Sequence, residues 1–231
     1  MIQVLHRACD ILELLASQID REFRLGEIAR ELAISPSTCA NIIKTLVGRG
    51  YVTKVHPHKS YTLGPMVFQL PHRRNYRLSL VQRARPHLEA LATQTGETAV
   101  LTIQEQDRFY IIDEVRSDRL PPIPFDPLYI RDVMSKATTR VLLAHLPEDD
   151  RDRLLTPEQR QAWNHSCAAI SGQAVHRHLD RSSAGFAAPV WQGPAVVASL
   201  GLYLPLGRLR QTDEKKLSET VSQAAQAISH M

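Results

Sequence analysis

Residues 35–46 read SPSTCANIIKTL, and RGYV follows at 49–52. Ser35 offers a side-chain oxygen for a helix N-cap, and Pro36 suits the first helical position. Cys39, Ile42, Ile43, Leu46 and Val47 recur at helical spacing, so one face of this helix is apolar. Ser37, Thr38, Ala40, Asn41, Lys44 and Thr45 are left to face outward or to flank the seam. Gly50 can stop the helix.

Its surroundings repeat the pattern. Upstream, Leu5, Ala8, Ile11, Leu12 and Leu15 keep helical spacing over 2–17, with Cys9 and Cys39 expected as small core residues. Gln18 to Arg24 is polar and interrupts the stripe. LGEIARELAI (25–34) places Leu25, Ile28, Ala29 and Leu32 on one face of a short second helix. Downstream, YVTKV (51–55) and SYTL (60–63) are β-prone runs around His-Pro-His-Lys, closed by Gly64-Pro65. Three helices and a basic hairpin outline a winged helix-turn-helix over 1–65.

Charge singles out the same region. The 231-residue chain has a net charge of +4 and is 43% hydrophobic, ample for a buried core. Residues 1–80 hold 11 Lys/Arg against 6 Asp/Glu, and the remainder holds 17 against 18. Between Leu32 and Leu88 there is no acidic residue, while Lys44, Arg49, Lys54, Lys59 and five further arginines fall there. An acid-free basic block suits a polyanion such as nucleic acid. In a helix-turn-helix the second helix of the pair enters the major groove, and its first turns reach phosphates and base edges. Ser35 caps that helix; Ser37 and Thr38 can donate to phosphate, as can the helix N-terminus itself. Lys44, with Lys54 and Lys59 on the hairpin, supplies positive charge. Asn41 can pair with adenine, a contact worth roughly 1–3 kcal/mol of discrimination.

After a linker segment (66–78), where Pro71 is expected to break or delay a helix, residues 79–231 read as α+β with an antiparallel sheet. An apolar stripe from Leu78 to Ala92 makes a helix that Pro86 kinks or restarts, and Gly96 stops it. ETAVLTIQ (97–104), FYIIDEV (109–115), AGFAAPVW (184–191) and AVVASLGLYL (195–204) are strands. Helices are expected over 134–146, over 156–172 up to Gly172, and over 209–231 with Thr212 or Asp213 as cap. PPIPFDP (121–127) is a stiff loop with four prolines.

The order RACDILELLA (7–16), LGEIARELAISPSTCANIIKTLVGRGYV (25–52), SYTLGP (60–65), RARPHLEALATQTGET (83–98) and FYIIDEV (109–115) resembles the isocitrate lyase regulator (IclR-type) family of bacterial transcription factors, with AAPV (187–190) matching further on. The resemblance implies a winged helix-turn-helix with recognition helix 36–49 and wing 51–63, a linker helix, and a GAF-like α+β sensor with a curved antiparallel sheet. It also implies double-stranded operator DNA of palindromic sequence, a homodimer or dimer of dimers, and a small-molecule effector. The effector pocket carried over position by position comprises Arg131, Met134, Ser135, Lys136, Ala137, Thr138, His176, Gly185, Gly201 and Tyr203. Two departures stand out. The family commonly has Arg at the position of Asn41 and His or Tyr at that of Ala40, so this chain is expected to lean on Lys44, Lys54 and Lys59 or to read another site. Tyr203 and Met134 give more aromatic and apolar surface than the family's serines, and Arg131 and Lys136 can pair with a carboxylate, so an organic acid of some bulk is expected.

Other classes find less support. There is no G-x-S-x-G, no phosphate-cradling glycine loop and no acid pair, so no enzyme and no cofactor is expected. His165, Cys167, His176 and His178 are zinc-type side chains, but residues two apart on a helix over 157–170 diverge. Three cysteines do not make a disulfide framework, and no apolar run reaches the roughly 18 residues of a membrane span, so a cytoplasmic protein is expected. A DNA-binding protein whose C-terminal domain only dimerises stays open.

Overall fold

The structure is a computed structural model, and it describes residues 2–18, 21–57, 59–72, 78–116, 118–119, 130, 132–164 and 166–229. The chain divides into two units, 1–78 and 79–231.

The first unit runs α1 (Gln3–Ser17), β1 (Phe23–Arg24), α2 (Leu25–Glu31), α3 (Pro36–Gly48), β2 (Val52–Val55), β3 (Ser60–Leu63) and α4 (Pro65–His72). Ile11 and Leu15 of α1, Ile28 and Ala29 of α2, and Cys39, Ile42, Ile43 and Leu46 of α3 bury their stripes together with Phe23 and Val52. Cys9 is exposed rather than core, because it points off the face that carries Ile11 and Leu15. The backbone N–H of Arg24 donates to Glu27 Oε2 at 2.7 Å, which caps α2. The polar stretch before α2 contains β1, which pairs antiparallel with β3 through Phe23↔Tyr61, so the wing sheet has the order β1-β3-β2.

α3 ends in a Schellman motif. Tyr51 N donates to Leu46 O at 2.9 Å and Gly50 N to Val47 O at 3.0 Å, with Gly50 at φ +75°. Gly64 crosses this turn so closely that a Cβ there would lie 2.3 Å from Gly50 O. Two glycines therefore fix how the wing leaves the helix. Pro71 does not delay the helix before it: α4 starts at Pro65 and takes Pro71 into its last turn.

The second unit is built on a five-stranded antiparallel sheet of order β5-β4-β8-β7-β6. The strands are β4 (Thr98–Glu105), β5 (Arg108–Val115), β6 (His176–Leu179), β7 (Ser183–Gln192) and β8 (Ala195–Pro205). Period-2 alternation sorts their side chains. Ala99, Leu101, Phe186, Ala188, Leu200 and Leu202 pack against α5 (Leu78–Thr95) and α11 (Glu214–Ser229) on one face. Val100, Ala187 and Tyr203 face α6 (Ala137–Ala144), α8 (Pro157–Asn164) and α9 (Cys167–Ser171) on the other. The remaining helices are α7 (Glu148–Leu154) and α10 (Leu206–Leu209).

Pro86 neither ends nor restarts α5, which carries buried residues on both sides of it. Pro86 and Gln82 are both exposed, so water can replace the hydrogen bond that the ring removes. The segment expected as one helix over 134–146 starts only at Ala137. Asp132 holds 132–135 as a turn, its Oδ1 accepting from Met134 N and its carbonyl from Ser135 Oγ. The helix expected over 156–172 is two, α8 and α9, because Asn164 and Ser166 favour turns over helix interiors. Asp213 is the cap of α11, accepting from Lys215 N and Lys216 N. A bidentate pair from Arg208 to the buried carboxylate of Glu97, at 2.8 and 2.6 Å, ties α10 to the start of β4. No helix among the described residues is long and apolar enough to cross a membrane.

Candidate functional site

α3 carries its buried stripe on one side and exposes Ser37, Asn41, Lys44 and Thr45 on the other, with Thr38 and Ala40 half-buried at the margins. Ser35 Oγ accepts from Thr38 N at 3.2 Å, donates to Thr38 Oγ1 at 2.8 Å, and lies 3.1 Å from Ser37 Oγ. The Thr38 hydroxyl accepts here, so its own proton is left for another acceptor. Thr45 differs: its hydroxyl donates to Asn41 O at 3.1 Å, which leaves it as an acceptor and takes it out of the set of phosphate donors. At roughly 100° per residue, Ser37, Asn41, Lys44 and Gly48 centre one strip, with Thr38 and Thr45 toward α1. On that side Val4, Leu5, Ala8, Asn41 and Thr45 border an apolar groove of about 450 Å³.

The wing adds charge beside this helix. Lys54 is exposed on β2, in register with Tyr61, and Lys59 is exposed at the tip with φ +52°. Both are basic and solvent-facing, in the same unit as Lys44. Strip and wing share one unit and one buried core, the requirement for a helix held in a groove.

In the second unit the residues expected around an effector come together, but tightly. Arg131 and PPIPFDP (121–127) lie outside the described residues. Met134 and Ser135 sit in the Asp132 turn. Ala137, Thr138, Gly185, Gly201 and Tyr203 are buried against one another. The Tyr203 ring takes the space over the two glycines: a Cβ on Gly185 would lie 2.5 Å from its Cε1, and one on Gly201 would lie 2.8 Å from its Cε2. The Tyr203 hydroxyl accepts from Thr138 N at 3.0 Å and shares a second bond with Thr138 Oγ1. Burial pushes this hydroxyl up to about 12, so it stays protonated. The sequence reads these positions as pocket walls; the packing makes the tyrosine itself the occupant of the start of α6.

Lys136 is committed as well. Its Nζ lies 3.0 Å from Asp180 Oδ2, with both side chains largely shielded. Burial would raise the Asp180 carboxyl, but hydrogen bonds from Ser183 Oγ, the Ser182 and Ser183 backbone and Lys136 outweigh it and hold the group well below the usual carboxylate range.

A cleft of about 510 Å³ opens beside this cluster, between α6, α9 and β6. Arg140, Ile170, Gln173, Val175 and His176 line it. Arg140 Nε donates to His176 Nε2 at 3.2 Å, and its guanidinium lies 5.2 Å from the centre of the Trp163 ring. Burial, then the positive charge of Arg140 and His178, lowers His176 to about 4, so its ring is neutral and its other nitrogen carries the proton. Sequence reasoning found His176 and missed Arg140. One signal was available: in ATTRVLLA (137–144) every residue is buried except Arg140, the one charge in an apolar run. Among the described residues no three His, Cys, Asp or Glu side chains gather as a metal site, and His165 lies outside them. Cys167 Sγ instead accepts from Arg151 at 3.2 Å, while His176 and His178 stand on β6.

A capped helix with an exposed polar strip, a basic wing and a separate α+β unit define a winged-helix transcriptional regulator. A profile of the IclR helix-turn-helix domain matches residues 4–56, and one of the bacterial transcriptional regulator IclR C-terminal domain matches residues 74–184. The chain belongs to the IclR family. It is 26% identical to the regulator XynR of Escherichia coli, over 99% of this chain and 96% of that one. It is 32% identical to BhcR of Paracoccus denitrificans over 67% of this chain, a match that spans 54% of BhcR. An IclR homolog from Microbacterium hydrocarbonoxydans, solved in complex with 4-hydroxybenzoate, shares the fold with a TM-score of 0.80 at 20% identity, over 98% of both chains. The curated relatives are named as transcriptional regulators, and this chain is a DNA-binding regulator, not an enzyme.

Proposed function

We propose that the chain is a ligand-responsive regulator that binds a palindromic operator as a homodimer or dimer of dimers. α3 lies in the major groove, with Ser37, Thr38, Asn41 and Lys44 toward the DNA and Lys54 and Lys59 on the flanking phosphates. The second unit binds a small organic acid that changes operator affinity. The observation that carries this reading is the strip Ser37–Asn41–Lys44, exposed on a helix whose opposite face is wholly core. The 4-hydroxybenzoate in the Microbacterium homolog supports an organic acid as effector class.

Tyr203 favours one competing reading, in which the second unit only dimerises, since its ring fills the space over Gly185 and Gly201. The open cleft beside Arg140 favours sensing. Enrichment from a random duplex pool tests the operator reading. The expected product is a palindrome with half-sites about 10 base pairs apart or a multiple of that. A pool that stays random, or an asymmetric single site, contradicts it. Repeating the enrichment with a panel of organic acids separates sensing from dimerisation, because only a sensor changes its retained fraction.

A further inference from the structure

The sequence offers Lys136 and Arg131 as the cations for an acidic ligand. Lys136 is neutralised by Asp180. Arg140 is different. It is half-buried, and among the described residues it has no acidic partner: its nitrogens reach only His176 Nε2 at 3.2 Å and, at a long 3.5 Å, the Met134 carbonyl. Burial alone acts on it, lowering its pKa from the usual arginine value, with no carboxylate to restore it. An arginine remains charged at neutral pH even so. A desolvated, uncompensated cation is costly, and such groups are retained where something completes them.

The surroundings say what completes it. Trp163, wholly buried, supports the guanidinium through its ring face, and His176 holds Nε, so the fork of terminal nitrogens is fixed before any ligand arrives. That fork matches a carboxylate in a bidentate way. The second arginine on the cleft, Arg177, is already paired with Glu214 at 2.6 Å. Among the described residues one uncompensated positive charge therefore faces the cavity, which suits a monoanion and leaves half of a dianion's charge unmet. Gln173 can add a hydrogen bond through its amide N–H, and Ala169, Ile170 and Val175 supply an apolar wall. The volume of about 510 Å³ falls among small-molecule clefts of roughly 300–1,000 Å³.

We propose that the cleft between α6, α9 and β6 binds a monocarboxylic acid, its carboxylate on Arg140 and its apolar body along Ile170 and Val175. The site is displaced from the Thr138–Gly201 cluster, where Tyr203 has taken the place of a ligand. The proposal rests on the reading of the second unit as a sensor, and its test separates the two.

The 231-residue chain carrying Trp191→Phe keeps Trp163 as its one tryptophan, directly under Arg140. Benzoate and hexanoate serve as probes, benzamide as the uncharged counterpart of benzoate, and inorganic phosphate as the dianion. The expected result is a saturable change in Trp163 emission with at least one acid, and benzoate binding at least tenfold more tightly than benzamide. Arg140→Gln should bring that preference to within threefold, and Arg140→Lys, which keeps the charge but not the fork, should fall between; thermal melts confirm that each variant is folded. The benzoate–benzamide comparison needs no variant, so it holds even where a substitution unfolds the unit. No saturable response to either acid, equal binding of benzoate and benzamide, tighter binding of phosphate than of both acids, or an undiminished preference in Arg140→Gln overturns the site. Affinity for a duplex enriched by the protein is measured on the same samples. Acid binding that leaves DNA affinity unmoved keeps the site and defeats the sensor reading. An acid that shifts DNA affinity equally in wild type and Arg140→Gln keeps the sensor and defeats the site.

Discussion

Tyr203 and His176 each answer a question that their positions in the sequence leave open. A tyrosine in a strand can line a pocket or fill one, and only its neighbours decide. Here two glycines on adjacent strands and the N–H of Thr138 receive the ring and its hydroxyl. Tyr203→Phe should therefore destabilise the second unit by about 1–3 kcal/mol, the cost of leaving a buried N–H unpaired. Urea unfolding checks this, and an unchanged midpoint contradicts it. His176 is lowered to about 4 by burial and by the charges of Arg140 and His178. The unfolded chain takes up its proton first, so the stability this histidine contributes is full above about 6.5 and is lost as pH falls toward 4. An NMR titration of its ring should show a midpoint near 4; a midpoint of 6 or above contradicts the buried neutral state. Position alone did not show Cys9 to be exposed either, since its helical stripe has edges that only packing defines.

Among the elements, those with strong periodicity were legible. The cap at Ser35, the stripe of α3, the hairpin and the four long runs that became β4, β5, β7 and β8 stand where the residues place them. Elements without a stripe were not. β1 is two residues long and defined only by its pairing to β3. α7 buries nothing and is written in charge, with Glu148, Asp149 and Asp150 in its first turn and Arg151 and Arg153 in its last, a macrodipole pattern rather than an amphipathic one. β6 presents His176 and His178 inward, so its alternation is polar and hides from a hydrophobic reading. The same cause hid Arg140, whose helix looks like plain core on either side of it. For the wing, a salt titration is decisive. Lys54→Ala and Lys59→Ala should each reduce the slope of log affinity against log salt by about one. An unchanged slope removes the wing from the DNA.

The whole molecule joins two units whose chemistry differs. The first carries a capped helix with an exposed polar strip and a basic wing; the second is an open five-stranded sheet, and beside its β6 edge lies Arg140, half-buried and, among the described residues, without an acidic partner. The family and its fold could be read from motifs spread along the chain, whereas the residues expected around an effector could not be sorted into packed and open ones, because that depends on the third dimension. In the proposed function α3 is the element that reads sequence. The most direct test is the affinity of the wild-type chain and of Asn41→Ala for an enriched duplex and its single-base variants, measured by fluorescence anisotropy at fixed salt. The expected result is a loss of about 1–3 kcal/mol of discrimination confined to one base position in each half-site. Equal affinities of the two proteins for every duplex, or the same loss at every position, would contradict a base-reading α3.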